Sequence, residues 1–323
     1  MLVLPALSAC GLRPVESLPL TLPSLTAVPG TSSIPPKQPS LTTTPDVSTY
    51  LPLVTEEEAS PILLAAGDIA DCASAGDEAA AALLDSLPGT VVTLGDNVYE
   101  RGTAQEFTDC YAPSWGRHKA RTRPAPGNHD YLTAGAAGYF GYFGAAAGDP
   151  AQGYYSYDLG AWHILALNSV CWEVGCGPGS PQEQWLRADL AAHPSVCTLA
   201  YWHHPLFSSG LHGSLTLMQD IWQALYDLGA DVVLSGHDHS YERFAPQDPN
   251  GLADPLRGIR EFVVGTGGRS HYAIQTPLPS SEVHNTKTFG VLKLTLHPAD
   301  YDWKFIPEAG KTFIDSGSGA CHP

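Results

Sequence analysis

Short, almost continuous apolar runs recur along most of the chain and are separated by polar segments rich in glycine. Four of these runs are typical of strands that are buried on both faces: 61–66, 91–94, 196–202 and 230–234. Between the first two runs, residues 77–87 are mostly helix formers, and Pro88-Gly89 ends the segment. A strand, a helix and a second strand in this order predict a parallel crossover and therefore an α/β fold.

Other segments extend this pattern toward the C-terminus. Five of them predict further strands, several joined by tight turns: 153–159, 162–167, 261–265, 290–296 and 302–306. Residues 181–192 and 215–228 predict helices, and the second has one apolar face that we interpret as core packing. The last segment, 310–323, is predicted to be irregular.

Polar side chains that can bind metals follow several of the predicted strands. The loops are Gly67-Asp68, Gly95-Asp96-Asn97-Val98-Tyr99, Gly127-Asn128-His129-Asp130 and Gly236-His237-Asp238-His239. Taken singly, an aspartate after a glycine usually forms a turn or caps a helix. The carboxyl ends of strands in an open α/β sheet, however, gather ligand-binding residues at one edge. The four loops together therefore predict a two-metal hydrolase.

These loops resemble the signature blocks of the calcineurin-like metallophosphoesterases and, among them, the purple acid phosphatases. The blocks are Gly67-Asp68, Gly95-Asp96-x-x-Tyr99, Gly127-Asn128-His129-Asp130, Trp202-His203-His204-Pro205 and Gly236-His237-Asp238-His239. Ala70 stands where the family often has glycine, and Asp130 replaces a frequent glutamate, but neither departure removes a ligand. The resemblance implies a four-layer α-β-β-α sandwich, in which two mixed sheets are flanked by helices.

The resemblance also implies two metal sites that share one carboxylate. Asp68, Tyr99 and His239 would hold the first metal, Asn128, His203 and His237 would hold the second, and Asp96 would bridge them. The first set suits Fe(III), because it combines carboxylates, a phenolate and one imidazole. The second set, with one amide oxygen and two imidazoles, suits a divalent ion such as Zn, Mn or Fe(II). Tyr99 is the discriminating residue, since other members of the family usually lack this phenolate.

The implied reaction is hydrolysis of a phosphate monoester by attack of a metal-bound hydroxide. His129 and His212 are the candidate catalytic residues, which would protonate the leaving group and neutralise charge. The position of His212 resembles that of the family's acid histidine, although it is equally consistent with an ordinary Gly/Ser loop. His203 is preferred to His204 as a ligand because the family pattern is His-x-Pro. Two alternatives stay open: a phosphodiesterase of the same group, and a surface binding module that keeps the fold without catalysis.

Composition restricts the domain organisation and the partners. Residues 1–58 contain 10 prolines and many Ser and Thr, so they predict a leader and a disordered stalk, and 59–323 would form the catalytic domain. A net charge of −17 argues against nucleic acid as a partner, because polyanions bind basic surfaces. Small phosphorylated substrates remain compatible with this charge, since bound metals supply local positive charge. No apolar run reaches about eighteen residues, so no transmembrane helix is predicted.

The cysteines indicate an exported protein. Apart from Cys10, six cysteines are available for three disulfides, which are typical of oxidising compartments. Sequence alone leaves the pairing open, and we favour Cys72–Cys110, Cys171–Cys176 and Cys197–Cys321. Cys10 follows Leu7-Ser8-Ala9, which resembles the lipobox of bacterial lipoproteins, although residues 1–9 are short for a signal and lack Lys and Arg. We therefore expect a secreted protein or a bacterial cell-surface lipoprotein, with Cys10 as a candidate lipid anchor.

Overall fold

The computed structural model describes residues 59–274 and 276–322, in which two mixed β-sheets are flanked by helices. This confirms the fold class expected from the sequence. The leader and stalk predicted for 1–58, with Cys10, lie outside the described residues, so that domain boundary stays a prediction. Among the described helices, none has the length and apolarity that a membrane span requires.

The first sheet has the strand order β13-β12-β11-β1-β2-β3. Its strands are β1 (Ile62–Ala66), β2 (Thr90–Leu94), β3 (Thr122–Ala125), β11 (Gly290–Leu296), β12 (Asp300–Pro307) and β13 (Ser316–Ala320). β1, β2 and β3 run parallel, whereas β11 pairs antiparallel with both β1 and β12. The parallel half of this sheet ends at the loops that carry the first candidate ligands.

The second sheet has the strand order β10-β8-β9-β7-β6-β5-β4. Its strands are β4 (Tyr155–Leu159), β5 (Trp162–Ala166), β6 (Cys197–Tyr201), β7 (Val232–Ser235), β8 (Tyr241–Phe244), β9 (Arg260–Val264) and β10 (Ser281–Asn285). β5, β6, β7 and β9 are parallel and form its centre, with antiparallel strands on both sides. β6 and β7 each end two residues before a candidate histidine ligand.

Short helices connect the strands. The α-helices are α1 (Gly76–Ser86), α2 (Ala104–Glu106), α3 (Ala137–Phe143), α4 (Cys171–Val174), α5 (Pro181–Ala192) and α6 (Gln219–Asp227). A π-helix follows α2 at Phe107–Tyr111, and 3-10 turns lie at Trp115–Arg121, Asp130–Leu132, Ala134–Ala136, Gly144–Ala147 and Thr216–Met218. α5 begins where sequence rules place it, because Ser180 accepts a hydrogen bond from the Glu183 N–H and Pro181 occupies the first turn.

Two apolar clusters hold these layers together. The larger one joins side chains of both sheets and of α1, including Leu64, Leu84 and Val232. The smaller one lies on the other face of the second sheet, where Trp222 and Leu225 of α6 pack beneath it. Burial on both faces explains why the central strands appear in the sequence as continuous apolar runs.

The segment 310–323 is predicted to be irregular, and this prediction is wrong for 316–320, whereas 310–315 contain no helix or strand. Residues Ser316–Ala320 form β13, an edge strand that pairs antiparallel with β12. The sequence Ser-Gly-Ser-Gly-Ala has no apolar alternation, and therefore carries no strand signal. Its glycines serve close packing instead, since a Cβ on Gly317 would lie 2.4 Å from the Trp303 ring. The strands β3, β8 and β10 were also not predicted.

The three disulfides agree with the favoured pairing. Cys72 is bonded to Cys110, Cys171 to Cys176, and Cys197 to Cys321. The third bond joins β6 of one sheet to the residue that follows β13 of the other. It therefore ties the C-terminal segment across the two sheets.

Candidate metal centre

The candidate ligands lie at the carboxyl ends of parallel strands from both sheets. Asp68 and Asp96 follow β1 and β2 of the first sheet, while His203 and His237 follow β6 and β7 of the second. Asp68, Asp96 and His237 have positive φ angles of 60°, 47° and 69°, which are rare for residues other than glycine. Such backbone conformations concentrate at functional sites, where the surrounding structure stabilises them.

Glycine is required where these loops approach one another. A Cβ on Gly127 would lie 2.2 Å from Oδ1 of Asp96, and one on Gly236 would lie 2.8 Å from Oδ2 of Asp68. Both distances are below van der Waals contact, so any larger residue would push the carboxylates away. The glycines that marked the loops in the sequence thus permit the close approach of the donors.

One set of donor atoms surrounds the hydroxyl group of Tyr99. Its Oη lies 2.9 Å from Oδ1 of Asp68, 3.1 Å from Oδ2 of Asp96 and 3.2 Å from Nε2 of His239. Nε2 of His239 is also 3.3 Å from Oδ1 of Asp68. The four residues that the sequence assigned to the first metal therefore point their donor atoms at a common centre.

A second set of donor atoms surrounds Nε2 of His203. This nitrogen lies 3.0 Å from Oδ1 of Asn128, 3.1 Å from Nδ1 of His237 and 3.3 Å from Oδ2 of Asp96. Oδ2 of Asp96 thus belongs to both sets. The structure places a single carboxylate oxygen between the two clusters, in the position expected of a bridge.

Hydrogen bonds to the backbone orient the two carboxylates. The His237 N–H donates to Oδ2 of Asp68 at 2.8 Å, which leaves Oδ1 directed at the first set. The His129 N–H donates to Oδ1 of Asp96 at 2.8 Å, which leaves Oδ2 between the two sets. Each aspartate is therefore fixed through one oxygen and presents the other.

The imidazole rings are oriented in the same way. Nδ1 of His203 is 2.8 Å from the carbonyl oxygen of Leu94, to which it donates, so that Nε2 remains as a donor atom for a metal. Nδ1 of His239 lies 2.7 Å from Oγ of Ser270, again leaving Nε2. Partners of this kind set the tautomer and the ring orientation of metal-binding histidines.

The spacing of the donor atoms fits metal coordination. Metal–ligand bonds of about 2.0–2.2 Å place neighbouring donors about 2.8–3.6 Å apart in octahedral and tetrahedral sites. The distances within the two sets, from 2.9 to 3.3 Å, fall inside this range. Asp68, Asp96 and His203 are also completely or almost completely buried. Buried carboxylates that face one another at these distances need a compensating positive charge.

The pKa values of the residues in the first set also indicate that a compensating positive charge is needed. Burial raises the pKa of Tyr99 well above its usual value, and the charges of Asp68 and Asp96 raise it further. Burial alone would raise the pKa of Asp96, but the charges and hydrogen bonds of His203 and His129 together hold it below its usual range. A phenolate at Tyr99 therefore requires additional positive charge, which a bound cation would supply.

The histidines in and beside the second set have pKa values shifted in opposite directions. Burial favours the neutral imidazole of His203, yet the charge and hydrogen bond of Asp96, with the charge of Asp68 and the Leu94 carbonyl, raise its pKa to about 9. Burial and the neighbouring charge of His203 lower the pKa of His237, and the same two causes lower that of His204 to about 3. The imidazoles next to His203 are therefore neutral, which is the form that binds metals.

Three further histidines surround the donor sets without belonging to them. The ring of His129 packs 4.5 Å from that of Tyr99, and its Nδ1 donates to the Glu100 carbonyl at 2.6 Å. The rings of His204 and His212 both lie 4.5 Å from that of His237. Both candidate catalytic residues predicted from the sequence, His129 and His212, thus border the donor atoms.

The segment 269–272 contributes residues that the sequence analysis missed. The backbone N–H groups of Arg269 and Tyr272 donate to the carbonyls of Asp68 and His239, each at 2.9 Å. The ring of Tyr272 stacks on that of His239, with centroids 4.0 Å apart. The signal was present, because this segment follows β9 through a glycine-rich loop like those that follow β1 and β2.

Comparison with known proteins defines the class. Residues 46–241 match the family described as Calcineurin-like phosphoesterase, and the chain belongs to this family.

Curated relatives narrow the comparison to purple acid phosphatases. The chain is 28% identical to purple acid phosphatase 15 of Arabidopsis thaliana, over 60% of this chain and 42% of that one. It is 33% identical to purple acid phosphatase 22 of the same plant, over 53% and 42% of the two chains. Human acid phosphatase type 7 is 31% identical over 38% and 32%. The chain thus spans less than half of each of these relatives.

Solved structures share the fold. Purple acid phosphatase PPD1 from yellow lupin superposes with a TM-score of 0.66 at 18% identity, over 82% of this chain and 54% of that chain. GAP50 of Plasmodium, described as the anchor in the inner membrane complex, gives a TM-score of 0.65 at 13% identity, over 82% and 90%. At such identities the similarity concerns the fold alone.

Proposed function

We propose that this protein is a two-metal phosphoesterase that hydrolyses phosphate monoesters in the manner of purple acid phosphatases. The observation that carries the proposal is the pair of four-donor sets that share Oδ2 of Asp96, one of them built around a tyrosine hydroxyl. The family membership and the similarity to purple acid phosphatases support it independently.

The two sets would take different metals. Asp68, Asp96, Tyr99 and His239 form a hard, anionic set that suits Fe(III). Asp96, Asn128, His203 and His237 form a set that suits a divalent ion such as Zn, Mn or Fe(II). When bound, the metal pair supplies Lewis-acid activation of the phosphate group and of the attacking water.

The protein's own side chains would move protons and bind the phosphate group. We assign His212 as the general acid, because its ring borders His237 and its backbone N–H is held by Oδ1 of Asp238 at 2.9 Å. His129 borders the other set, and its Nε2 lies 4.0 Å from Oδ2 of Asp96. From there its imidazole would donate to a non-bridging phosphate oxygen.

Two other functions are compatible with the fold. A phosphodiesterase would use the same donor sets with a more open pocket. A binding module without catalysis is the second alternative, since GAP50 shares the fold and is described as an anchor. The complete donor sets favour an enzyme, because buried carboxylates without a metal are costly to retain.

Export is the further part of the proposal. Three disulfides among the described residues fit an oxidising compartment, and we propose that residues 59–323 form an exported catalytic domain. The chain would be secreted or attached to a bacterial cell surface through Cys10. Mass spectrometry of the mature N-terminus would distinguish the two, since only a lipoprotein begins at an acylated Cys10.

Elemental analysis combined with an ester panel tests the function. The protein should contain two metal ions and hydrolyse monoesters faster than diesters. Asp96→Ala should lose metal and at least about 100-fold of the activity, because the shared oxygen is removed. The control Asp300→Ala changes an exposed aspartate at the start of β12 and should leave metal content and activity unchanged.

Each other outcome identifies a different function. Faster hydrolysis of diesters would identify a phosphodiesterase. Full metal content without hydrolysis of any ester would favour the binding module. Normal metal content and activity in Asp96→Ala would show that the metal centre lies elsewhere.

A further inference from the structure

Trp172 is a large apolar side chain that lies open to solvent. It is 60% exposed, whereas Trp115, Trp162, Trp202 and Trp222 are completely buried. A tryptophan stabilises a fold or a complex most when its ring is buried. One that remains exposed on a fixed segment therefore often marks a binding surface.

The position of Trp172 relates it to the donor sets. Its ring packs edge-on against that of His204, with centroids 5.6 Å apart. The ring of His204 in turn lies 4.5 Å from that of His237, whose Nδ1 belongs to the second set. A single imidazole therefore separates Trp172 from a candidate metal ligand.

The loop that carries Trp172 is held rigidly against the site. The Cys171–Cys176 disulfide closes the short helix α4 on which the tryptophan lies. Just before it, Oγ of Ser169 lies 2.9 Å from Nδ1 of His204 and accepts the His204 N–H at the same distance. Because the ring is already held in place, a ligand that stacks on it loses little binding free energy to ordering the loop.

Apolar side chains recur at the rim of the site. Leu132 is 49% exposed, and its N–H donates to the carbonyl of His129 at 3.2 Å. Leu211 is 52% exposed and directly precedes His212. With Trp172 beside His204, each of the three histidines that border the donor sets has an exposed apolar neighbour. Of these three apolar residues, Trp172 is the one whose side chain directly contacts a histidine of the site.

Charge at the rim argues against a highly anionic leaving group. Arg269 lies over the Tyr99 ring at 4.9 Å, but its guanidinium forms ion pairs with both Asp71 and Glu100. Two carboxylates therefore offset its positive charge. A leaving group that carries further phosphates would find little compensation from this arginine, whereas an uncharged ring would lose nothing.

We propose that Trp172 is a specificity-determining residue, on which the aromatic ring of the leaving group stacks. The preferred substrates are phosphate monoesters whose alcohol part carries an uncharged aromatic ring. This inference rests on the proposed phosphoesterase function and names the substrate class of the same site.

Steady-state kinetics with a matched pair of substrates tests the inference. For phenyl phosphate, Trp172→Ala should raise KM by about 3- to 10-fold, the range expected for the loss of one aromatic contact. For ethyl phosphate, KM should not change, and kcat should be similar to wild type for both esters. Trp172→Phe, which keeps an aromatic face, should restore most of the KM for phenyl phosphate.

Inhibition and a control variant complete the test. The inhibition constant of phenylphosphonate should rise in Trp172→Ala, while that of methylphosphonate stays constant. Leu256→Ala removes a side chain that is 79% exposed in the segment between β8 and β9, and it should change none of these values.

The outcomes separate this inference from the proposed function. If the wild type hydrolyses no ester, the proposed function fails. If it hydrolyses both esters and Trp172→Ala leaves KM unchanged, or raises it equally for both, the stacking role is overturned while the function stands.

Discussion

Tyr99 is the residue on which the choice of metals depends. Its hydroxyl group lies between two buried carboxylates, Asp68 and Asp96, at 2.9 and 3.1 Å. Neighbours of this kind stabilise the neutral phenol, so that only a strongly charged cation would make the phenolate favourable. Fe(III) meets this condition better than a divalent ion does.

A phenolate bound to Fe(III) gives an intense visible charge-transfer band, so Tyr99→Phe should abolish this band in the iron-loaded protein and lower its iron content. The ring is kept and only the donor oxygen is lost, so packing should change little. Absorption spectra and elemental analysis measure both effects. Tyr142→Phe, which removes a hydroxyl group outside the donor sets, should keep the band. A colourless wild type with full iron content, or a coloured Tyr99→Phe variant, would contradict the assignment.

His212→Ala should separate proton donation from metal binding. Both metals should be retained, because His212 lies beside His237 without belonging to a donor set. Hydrolysis of alkyl esters should fall by about 100-fold or more, since a poor leaving group needs a proton, whereas nitrophenyl esters should lose much less. The control is His193→Ala, which changes an exposed histidine directly after α5. Equal losses for both ester types would exclude His212 as the acid.

At the level of elements, strand ends determine where the chemistry lies. β1, β2, β6 and β7 each end at a candidate ligand, and β9 ends at the loop that leads to Arg269 and Tyr272. β9 also carries a buried carboxylate, Glu261, that the candidate site does not use. Its oxygens accept hydrogen bonds from Ser235 Oγ and from the Phe207 N–H, each at 3.2 Å.

Glu261 should make stability depend on pH. Burial raises its pKa well above the usual value, and the nearby charge of Glu242 adds to this effect. The folded protein thus holds a proton that the unfolded chain releases above pH about 4.3. Because the unfolded state then binds fewer protons, the free energy of unfolding should fall as pH rises from that point toward the raised pKa.

Glu261→Gln stays neutral in both states, so its free energy of unfolding should fall less steeply with pH than that of the wild type. Denaturant titrations of the two proteins at several pH values, in the same metal-loaded form, measure the difference. Glu78→Gln controls for the loss of one negative charge at an exposed position. Parallel pH profiles for wild type and Glu261→Gln would contradict the prediction.

At the level of the whole molecule, the proposed metal pair would connect the two sheets. Asp68, Asp96 and Asn128 follow strands of the first sheet, whereas His203 and His237 follow strands of the second. The Cys197–Cys321 disulfide joins the same two sheets by a covalent bond. Bound metals should therefore stabilise the folded state as well as support catalysis.

Removal of the metals should lower the unfolding temperature. Ligands at about 100 times Kd stabilise by about 2.7 kcal/mol, and about 2–4 °C per kcal/mol gives a shift of about 5–10 °C. Thermal unfolding with and without a chelator measures this shift. In Asp96→Asn, which loses the negative charge shared by the two donor sets, the chelator should change the unfolding temperature much less. A wild type that unfolds at the same temperature after verified metal removal would show that the donors do not bind metal in the folded state.

Much of the fold could be predicted because the signals for its strands and helices lie within short segments of the sequence. Strands such as β1 and β6 are buried on both faces and therefore appear as apolar runs, and α5 carries its own start signals in Ser180 and Pro181. The strand β13 could not be predicted, because Ser and Gly have no apolar pattern and its stability comes from pairing with β12 and from packing against Trp303.

The candidate site also has features that the sequence predicts and features that only the tertiary structure decides. The sequence supplied the types and order of all seven candidate ligands through its resemblance to the signature blocks of the family, since each ligand lies in one of these short blocks. Only the tertiary structure decided which atoms meet. Tyr99 and His239 are separated by 140 positions, and Asp68 and His237 by 169. Such contacts exist only because two sheets pack with their strand ends together. For the same reason the sequence could not reveal that Trp172 lies beside His204 or that Tyr272 stacks on His239.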